Sequence, residues 1–369
     1  MNTRMRLAAG AAVTAAIAGV LGASAAPASA ATGATARLQN GILTITGTAS
    51  RDVVGISMSH RQAAIDFGSD GTVDARFLMS RVRQLNVQLG DGNDGFSVIG
   101  AGVGDVPMTI SGGLGNDGLG VVGTEDPLLA RSAPVTILGG GGNDTIIASV
   151  PGLAPVSINA GAGDDVVTGG SGSIGPETIS LGSGNDKLVS TLNVFDSPFT
   201  ARNDVVDGGA GKDTLELQGS FESESLSLSA DAGHLIALHD GRDRTDSVHV
   251  ENVTWFGFGG NGDGGDGDDV TVNDLSGTGV VNFTPDFSSP SDATVPNNSS
   301  DQLRVVGTPG DDHIAVDSSG STIIVSGLTP AITPVLLDAK DTLRIDTLAG
   351  NDTVDSAGLP PGLVQLQVF

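Results

Sequence analysis

The chain of 369 residues contains no cysteine, and aromatic residues make up only 3% of it. The absence of cysteine excludes disulfide bonds and lipid attachment at a cysteine. The chain has 56 glycines, so it loses much backbone entropy on folding and has few bulky side chains for a core. Something other than disulfides or aromatic packing must therefore hold the fold together.

Positive charge is also scarce, because 17 lysines and arginines stand against 43 aspartates and glutamates, a net charge of −26. Such an acidic chain argues against nucleic acid as a partner. Acidic loops repel one another and favour an expanded chain unless counter-ions neutralise them. Bound divalent cations would remove this penalty, since the free energy of binding a metal to the folded chain adds to its stability.

The first 30 residues have the features of a secretory signal peptide. Arg4 and Arg6 form a basic start, residues 7–22 are an alanine-rich apolar run, and Ala30 ends a small-residue cleavage site. We therefore expect an exported protein, cleaved after Ala30, without a membrane span once the signal is removed. Cleavage would leave 339 residues with a net charge of −28, because two arginines and no acids are lost. An uncleaved membrane anchor is the alternative.

One glycine-aspartate phrase recurs six times in the middle of the chain. The copies are LGDGND (89–94), GGLGND (112–117), GGGGND (139–144), AGAGDD (160–165), LGSGND (181–186) and GGAGKD (208–213). Glycine tolerates positive φ and leaves its carbonyl oxygen accessible, while aspartate adds a short, hard anionic ligand. Each copy predicts a tight turn that ends in a carboxylate.

The residues around each phrase repeat as well. Seven residues before the aspartate stands a β-branched aliphatic residue, and two residues after it stands a second large apolar residue. The first set is Val87, Ile110, Ile137, Ile158, Ile179 and Val206, and the second is Phe96, Leu119, Ile146, Val167, Leu188 and Leu215. Four copies also begin with a proline ten residues before the aspartate, which suits the first position of a strand. The pattern predicts a strand, a glycine turn and a second short strand that face one core.

The spacing of the phrases indicates a solenoid. Successive aspartates from Asp94 to Asp186 are 23, 27, 21 and 21 residues apart. One coil cannot bury its apolar side chains alone, so stacking of coils creates the core. Stacking would bring aspartates of neighbouring coils about 4.8 Å apart, where like charges resist ionisation unless cations lie between them. Calcium takes about 6 to 8 oxygens and could collect carboxylates from two turns and carbonyls from the glycines.

Three of the phrases, extended to nine residues, resemble a known calcium-binding repeat. GGLGNDGLG (112–120), GGGGNDTII (139–147) and GGAGKDTLE (208–216) are similar to the hemolysin-type, or repeats-in-toxin, nonapeptide GGxGxDxUx. The resemblance implies calcium ions between the turns of a parallel β-roll or β-helix. The side-chain ligands that it implies are Asp94, Asp117, Asp144, Asp165, Asp186 and Asp213. The backbone ligands that it implies come from the turn glycines Gly113, Gly115, Gly140, Gly142, Gly161, Gly163, Gly209 and Gly211.

The spacing departs from that family in one respect. Its arrays run in tandem at nine residues, whereas here only Asp204 and Asp213 are nine apart. Longer coils, with a calcium file on one edge instead of two, are expected. The fold class that we predict is an all-β, right-handed parallel β-helix or β-roll solenoid with degenerate β modules at both ends.

The two ends of the chain resemble each other outside the central array. Residues 41–57 parallel residues 301–317, and the spacing from Asp52 to Asp94 is 42 residues, against 40 from Asp312 to Asp352. Each interval predicts about two coils, one of which has lost its metal phrase. The expected organisation is a signal peptide (1–30), a degenerate module (31–88), the central repeat solenoid (89–218), a degenerate module (219–287), a linker (288–300) and a C-terminal degenerate module (301–369).

Four further aspartates remain open between two interpretations. Asp52, Asp269, Asp312 and Asp352 lie in degenerate turns, where an aspartate can satisfy its own turn or bind metal. Asp269 belongs to the densest acidic glycine run, GGNGDGGDGDD (259–269), but its flanks fail the apolar frame.

No catalytic constellation is found in the sequence. There is no HExxH motif and no GxSxG motif, and the glycine loops end in acids that would repel a phosphate. His234 and His239 are five residues apart on a probable strand pair, which points them to opposite faces, and Trp255 is expected to pack. We therefore predict a secreted, calcium-binding protein with a structural or binding role and no enzymatic activity. The alternatives are an extracellular hydrolase and an adhesin that binds polysaccharide or a cell surface.

Overall fold

The structure is a computed structural model that describes most of the chain after the predicted signal peptide. The described residues are 33–124, 133–150, 152–170, 175–191, 202–219, 223–257, 266–289, 292–297, 299–320, 322–333 and 337–369. The predicted signal peptide and part of the run 259–269 lie outside them. The described chain is nearly all β, with one short 3-10 turn at Met79–Arg81. No helix among these residues is long and apolar enough to cross a membrane.

The chain divides into two compact units, one up to Gly184 and one from Asn185 onwards. The strands of unit 1 are β1 (Thr35–Gln39), β2 (Ile42–Thr46), β3 (Val53–Met58), β4 (Gln62–Phe67), β5 (Ala75–Leu78), β6 (Gln84–Asp91), β7 (Gly95–Gly100), β8 (Met108–Leu114), β9 (Gly118–Gly123), β10 (Val135–Gly141), β11 (Thr145–Ser149), β12 (Val156–Ala162), β13 (Val166–Gly169) and β14 (Glu177–Ser183).

The strands of unit 2 are β15 (Lys187–Thr191), β16 (Asn203–Ala210), β17 (Thr214–Gln218), β18 (Ser225–Asp231), β19 (His234–His239), β20 (Asp243–Val248), β21 (Asn252–Phe256), β22 (Asp266–Val272), β23 (Asn282–Asp286), β24 (Ser288–Ser289), β25 (Asp292–Pro296), β26 (Ser300–Val306), β27 (His313–Ser319), β28 (Thr322–Ser326), β29 (Ala331–Ile332), β30 (Thr342–Asp346), β31 (Thr353–Asp355) and β32 (Gln365–Val368). Thus β24 and β25 lie within the predicted linker.

Unit 1 is built from coils that each contribute one strand to each of two sheets. Its first sheet has the order β1-β2-β6-β8-β10-β12-β14, and its second has the order β13-β11-β9-β7-β3-β4-β5. Consecutive coils pair in parallel and without slippage, so that Ile110, Ile137, Ile158 and Ile179 form one column. The parallel solenoid predicted from the repeat is confirmed.

The core of the solenoid is the set of apolar positions that repeats around the phrase. All twelve positions are buried, with exposed fractions between 0% and 3%. Each residue lies over its counterpart in the next coil at the strand spacing. The same type of side chain therefore stacks from coil to coil and fills the interior. The two apolar positions that flank each aspartate therefore hold the turn between them against the core.

Unit 2 follows the same plan with more antiparallel pairing. Its first sheet has the order β16-β20-β19-β18-β22-β26-β30-β32, and its second has the order β31-β27-β28-β29-β23-β21-β17-β15. Antiparallel strands occur at β18-β19-β20 and β27-β28-β29, and β24 and β25 form a separate two-stranded ribbon.

The expectation of two coils in each degenerate interval is wrong. The backbone N–H of Asp52 donates to Oδ1 of Asp94 over 2.7 Å, so one coil covers the 42 residues between them. The additional residues form the antiparallel strands β4 and β5, which extend the sheet sideways instead of making another coil. The same holds for Asp312 and Asp352, which are joined in this way over 2.9 Å. Alternating apolar residues are common to an inserted hairpin and to a coil, so the pattern alone cannot separate the two.

Candidate functional site: a ladder of buried carboxylates

Each turn depends on glycines in a backbone conformation that other residues adopt only with strain. In the phrase 139–144, Gly140 has a φ of +124° and Gly142 a φ of +118°. A Cβ atom on Gly140 would overlap the carbonyl oxygen of Gly113 in the preceding coil. The glycines thus allow the turns of neighbouring coils to stack with their backbones in close contact.

The aspartates that end the phrases connect one coil to the next. In unit 1, the backbone N–H of each aspartate donates to Oδ1 of the aspartate one coil further on. The distances are 2.8 Å from Asp94 to Asp117, 2.8 Å from Asp117 to Asp144, and 2.7 Å from Asp144 to Asp165. In unit 2, Asp186 donates to Asp213 over 2.9 Å, and Asp213 to Oε2 of Glu251 over 2.8 Å. We call the six aspartates of the phrases the turn ladder.

The turn ladder is buried in the interior of each unit. Asp94 is 4% exposed, and the other five aspartates are between 0% and 2% exposed. The second carboxylate oxygen, Oδ2, makes no hydrogen bond in Asp94, Asp117, Asp144 or Asp213. The position that a Cβ atom on Gly139 would take is crowded by both Oδ2 of Asp144 and the carbonyl oxygen of Ala160 in the next coil. Two oxygen atoms therefore lie close to that position.

Burial gives these carboxyl groups unusual pKa values. Loss of hydration raises the pKa of Asp94, Asp117 and Asp213 to about 6, and that of Asp144 to about 7, against an ordinary value of 3.8. The backbone N–H bonds oppose this rise, because they favour the charged form. The charge of the turn ladder is thus costly unless a proton or a cation compensates it.

Two aspartates of the degenerate turns have a different environment. Oδ2 of Asp52 accepts from the backbone N–H of Thr48 over 2.6 Å and from its hydroxyl over 3.0 Å. Asp312 accepts the backbone N–H of Thr308 at Oδ2 and the hydroxyl of Thr308 at Oδ1, each over 2.8 Å. Both side chains therefore bond to their own turns, although Oδ1 of Asp52 is buried and makes no hydrogen bond. Oδ1 of Asp352 accepts the backbone N–H of Asp312.

A second ladder, of asparagines, runs along the outside of the same turns and was missed by sequence reasoning. Oδ1 of Asn93 accepts the backbone N–H of Asn116 over 2.9 Å, and Oδ1 of Asn116 accepts that of Asn143 over 2.9 Å. Asp164 donates in turn to Asn143 over 3.0 Å, and Lys212 to Asn185 over 3.1 Å. The signal for it is the asparagine that precedes the aspartate in four of the six phrases.

The other residues discussed from the sequence have defined positions. His234 and His239 lie on β19 and face opposite sides, as predicted, because His234 is exposed and His239 is buried. Trp255 is fully buried and packs 5.9 Å from the ring of His239. Asp269 is exposed and accepts a bond of 2.9 Å from Nε2 of Gln302, so it does not belong to the turn ladder.

The oxygens of the turns fit a calcium ion by their chemistry, since calcium prefers carboxylate and carbonyl ligands. In the part of the chain that the structure describes, no three His, Asp or Glu side chains gather into a metal-sized group. Backbone carbonyls would therefore have to supply most ligands of such a site, beside the Oδ2 atoms. A comparison with protein-family models returned no match, and neither did one with curated proteins.

Proposed function

We propose that this protein is an exported, calcium-binding parallel solenoid with a structural or binding role. The supporting observation is the turn ladder, in which the buried carboxylates of Asp94, Asp117, Asp144 and Asp213 each carry an oxygen that lacks a hydrogen bond. Bound calcium would supply positive charge at those oxygens. The Oδ1 atoms hold each turn to its neighbour, and the glycines keep the carbonyl oxygens close to the carboxylates.

The same features suggest how folding depends on location. Where calcium is scarce, the acidic chain gains little from folding, because the turn ladder would bury several uncompensated charges. Where calcium is plentiful, binding to the folded turns adds its free energy to stability. The chain would thus leave the cell unfolded and fold outside it.

The experiment is a titration of residues 31–369 with calcium and then with magnesium, followed by circular dichroism and calorimetry. We expect calcium to raise the β signal and release heat, and magnesium to do neither at the same concentration, because it demands a stricter geometry and keeps its waters. Asp144→Asn keeps the Oδ1 acceptor for Asp117 but removes the charge, so it should weaken the calcium response. Asp231→Asn, at an exposed strand end, is the control. Unchanged spectra without heat of binding would refute the proposal.

The binding role has a candidate surface on the first sheet of unit 1. Thr109, Thr136, Ser157 and Thr178 are in lateral register on β8, β10, β12 and β14, and their side chains lie on the solvent side. A regular, flat column of hydroxyls suits a polar polymer such as a polysaccharide. Glycan-array binding without turnover would favour this role over a hydrolase, and its abolition by Thr136→Val would assign it to this face.

A further inference from the structure

Unit 2 contains a second row of buried acids. It lies at the starts of strands in the first sheet, whereas Asp213 of the turn ladder follows the end of a first-sheet strand. Glu224, Asp268, Asp301 and Asp341 lie at the starts of β18, β22, β26 and β30, which are neighbours in that sheet. They are 7%, 0%, 1% and 2% exposed. We call these four residues the strand-start row. Asp268 lies in the acidic glycine run 259–269, one residue before Asp269, and the proposal for calcium uses none of the four residues.

Hydrogen bonds connect the row from coil to coil. The backbone N–H of Glu224 donates to Oδ1 of Asp268 over 3.0 Å, that of Asp268 to Oδ1 of Asp301 over 2.8 Å, and that of Asp301 to Oδ1 of Asp341 over 2.9 Å. The Oδ2 atoms of Asp268 and Asp301 are buried and make no hydrogen bond. Asp268 and Asp301 thus each have one oxygen fixed by the fold and a second that can carry a proton, whereas Oδ2 of Asp341 accepts the backbone N–H of Asp338 over 2.6 Å.

Two buried ring nitrogens lie beside the row. Nε2 of His239 is 3.5 Å from Oε1 of Glu224, and neither His239 Nε2 nor Trp255 Nε1 makes a hydrogen bond. Trp255 Nε1 and Oδ2 of Asp268 both crowd the position that a Cβ atom on Gly257 would take. The row therefore lies in a closed interior rather than at the surface.

The charges around the row do not neutralise it. Asp268 is faced by Glu224, Asp301 and His239. Burial raises the pKa of Asp268 to about 8, although the N–H of Glu224 lowers it. Of the three facing groups, only His239 can be positive, and its nearest partner in the row is Glu224.

The far end of the row faces further acids. Asp301 is faced by Asp338 and Asp269, and by Asn297 and the N–H of Asp268, which lower its pKa. Asp341 is faced by Asp301 and Asp338. Burial raises the pKa of Asp301 above its usual range and that of Asp341 to about 7. Around His239 stand Asp240 and Asp243 in addition to Glu224.

We propose that the strand-start row is a proton-operated lock, in which folded unit 2 holds protons on Asp268 and Asp301 and opens when alkaline conditions remove them. The unfolded chain binds those protons only below about pH 4, the ordinary range of aspartate. Stability is therefore complete below that range and is lost as the pH rises through the folded pKa. Each proton that only the folded state holds lowers the folding equilibrium constant about tenfold per pH unit. The lock needs no calcium.

The test is the unfolding equilibrium of residues 31–369 at one fixed, saturating calcium concentration, from about pH 5 to about pH 9, where the extra protons are bound and then lost. The fluorescence of Trp255, the only tryptophan, reports on unit 2. Asp268→Asn keeps the acceptor for Glu224 and carries no charge, while Asp269→Asn changes the exposed neighbour and is the matched control. We expect the folding constant of wild type and Asp269→Asn to fall about tenfold more per pH unit than that of Asp268→Asn.

Equal slopes for wild type and Asp268→Asn would overturn the proposal. If Asp268→Asn fails to fold, infrared spectroscopy of the wild type decides. A carbonyl band of protonated carboxylic acid should be present at about pH 7.5 and disappear at higher pH together with the folded Trp255 signal. A wild-type protein without that band would also overturn the lock. Because calcium is fixed and the turn ladder is identical in all three proteins, its contribution cancels from the comparison, so failure of the calcium proposal leaves this test unaffected.

Discussion

The stacking of the turns is tested most directly by two neighbouring glycines in one phrase. Gly140 has a φ of +124°, and a Cβ atom there would overlap the carbonyl oxygen of Gly113. At Gly141, whose φ is not in the left-handed range, a Cβ atom would lie 3.3 Å from Cδ2 of Leu114. Leu114 is 62% exposed and can move aside. Gly140→Ala and Gly141→Ala therefore make the same chemical change in opposite structural settings.

The expected costs follow from these two environments. Holding alanine at an unfavourable backbone conformation costs about 1 to 3 kcal/mol. Displacing the neighbouring backbone adds about 1 to 3 kcal/mol of overpacking. Gly140→Ala should thus reduce the free energy of unfolding by about 2 to 6 kcal/mol, a large part of the stability of a typical domain. Gly141→Ala should change it by less than about 0.5 kcal/mol, as surface substitutions usually do.

The assay is urea unfolding of residues 31–369, followed by circular dichroism at one fixed calcium concentration. A lower midpoint at an unchanged denaturant slope would show a loss of stability rather than a change in the unfolded chain. If the two variants unfold at the same urea concentration, the close contact between the turns of neighbouring coils is wrong. That result would also remove the geometric basis of both the turn ladder and the asparagine ladder.

Three further outcomes are expected. In a chelator, the wild-type protein should lose stability as the pH rises through about 6 to 7, because the pKa values of Asp94, Asp117 and Asp144 are raised in the folded state. A thermal-unfolding midpoint that rises over this pH range would contradict the prediction. Asn116→Ala should cost about 0.5 to 1.5 kcal/mol in urea unfolding, since Asn143 loses an acceptor, whereas Asn116→Asp should cost less. Arg202→Met should reduce the free energy of unfolding by about 3 to 5 kcal/mol, because it removes the guanidinium that lies 2.7 Å from the buried carboxylate of Asp204. The double variant with Asp204→Asn should recover most of the lost urea midpoint.

The sequence was sufficient to predict the coil. All twelve predicted apolar positions are buried, for example Ile137 and Ile146 around Asp144. This prediction succeeded because strand alternation and a coil-length repeat are both encoded locally, in the spacing of side chains that must face one core. The glycines of the turns were predictable for the same reason.

Two features were not predictable from the sequence alone. The hairpin of β4 and β5 has the same alternation as a coil, and only its antiparallel pairing distinguishes it. The strand-start row was missed because the buried acid is Asp268, one residue before Asp269, which was the residue weighed from the sequence. Which of two adjacent aspartates faces inward is fixed by the register with β26, since a shift of one residue reverses the face.

The two side chains that end the phrase GGGGND indicate what the carboxylate adds. Asn143 bridges coils with a side-chain oxygen at the surface and carries no charge. Asp144 bridges coils with the same kind of bond in the interior, where its charge is costly. An asparagine at that position could accept the same N–H and donate its amide towards the carbonyl oxygen of Ala160, leaving neither group unsatisfied. Hydrogen bonding alone would therefore favour asparagine at both positions. The buried carboxylate of Asp144 is better explained by the proposed cation, whose positive charge would compensate it where an asparagine would offer none.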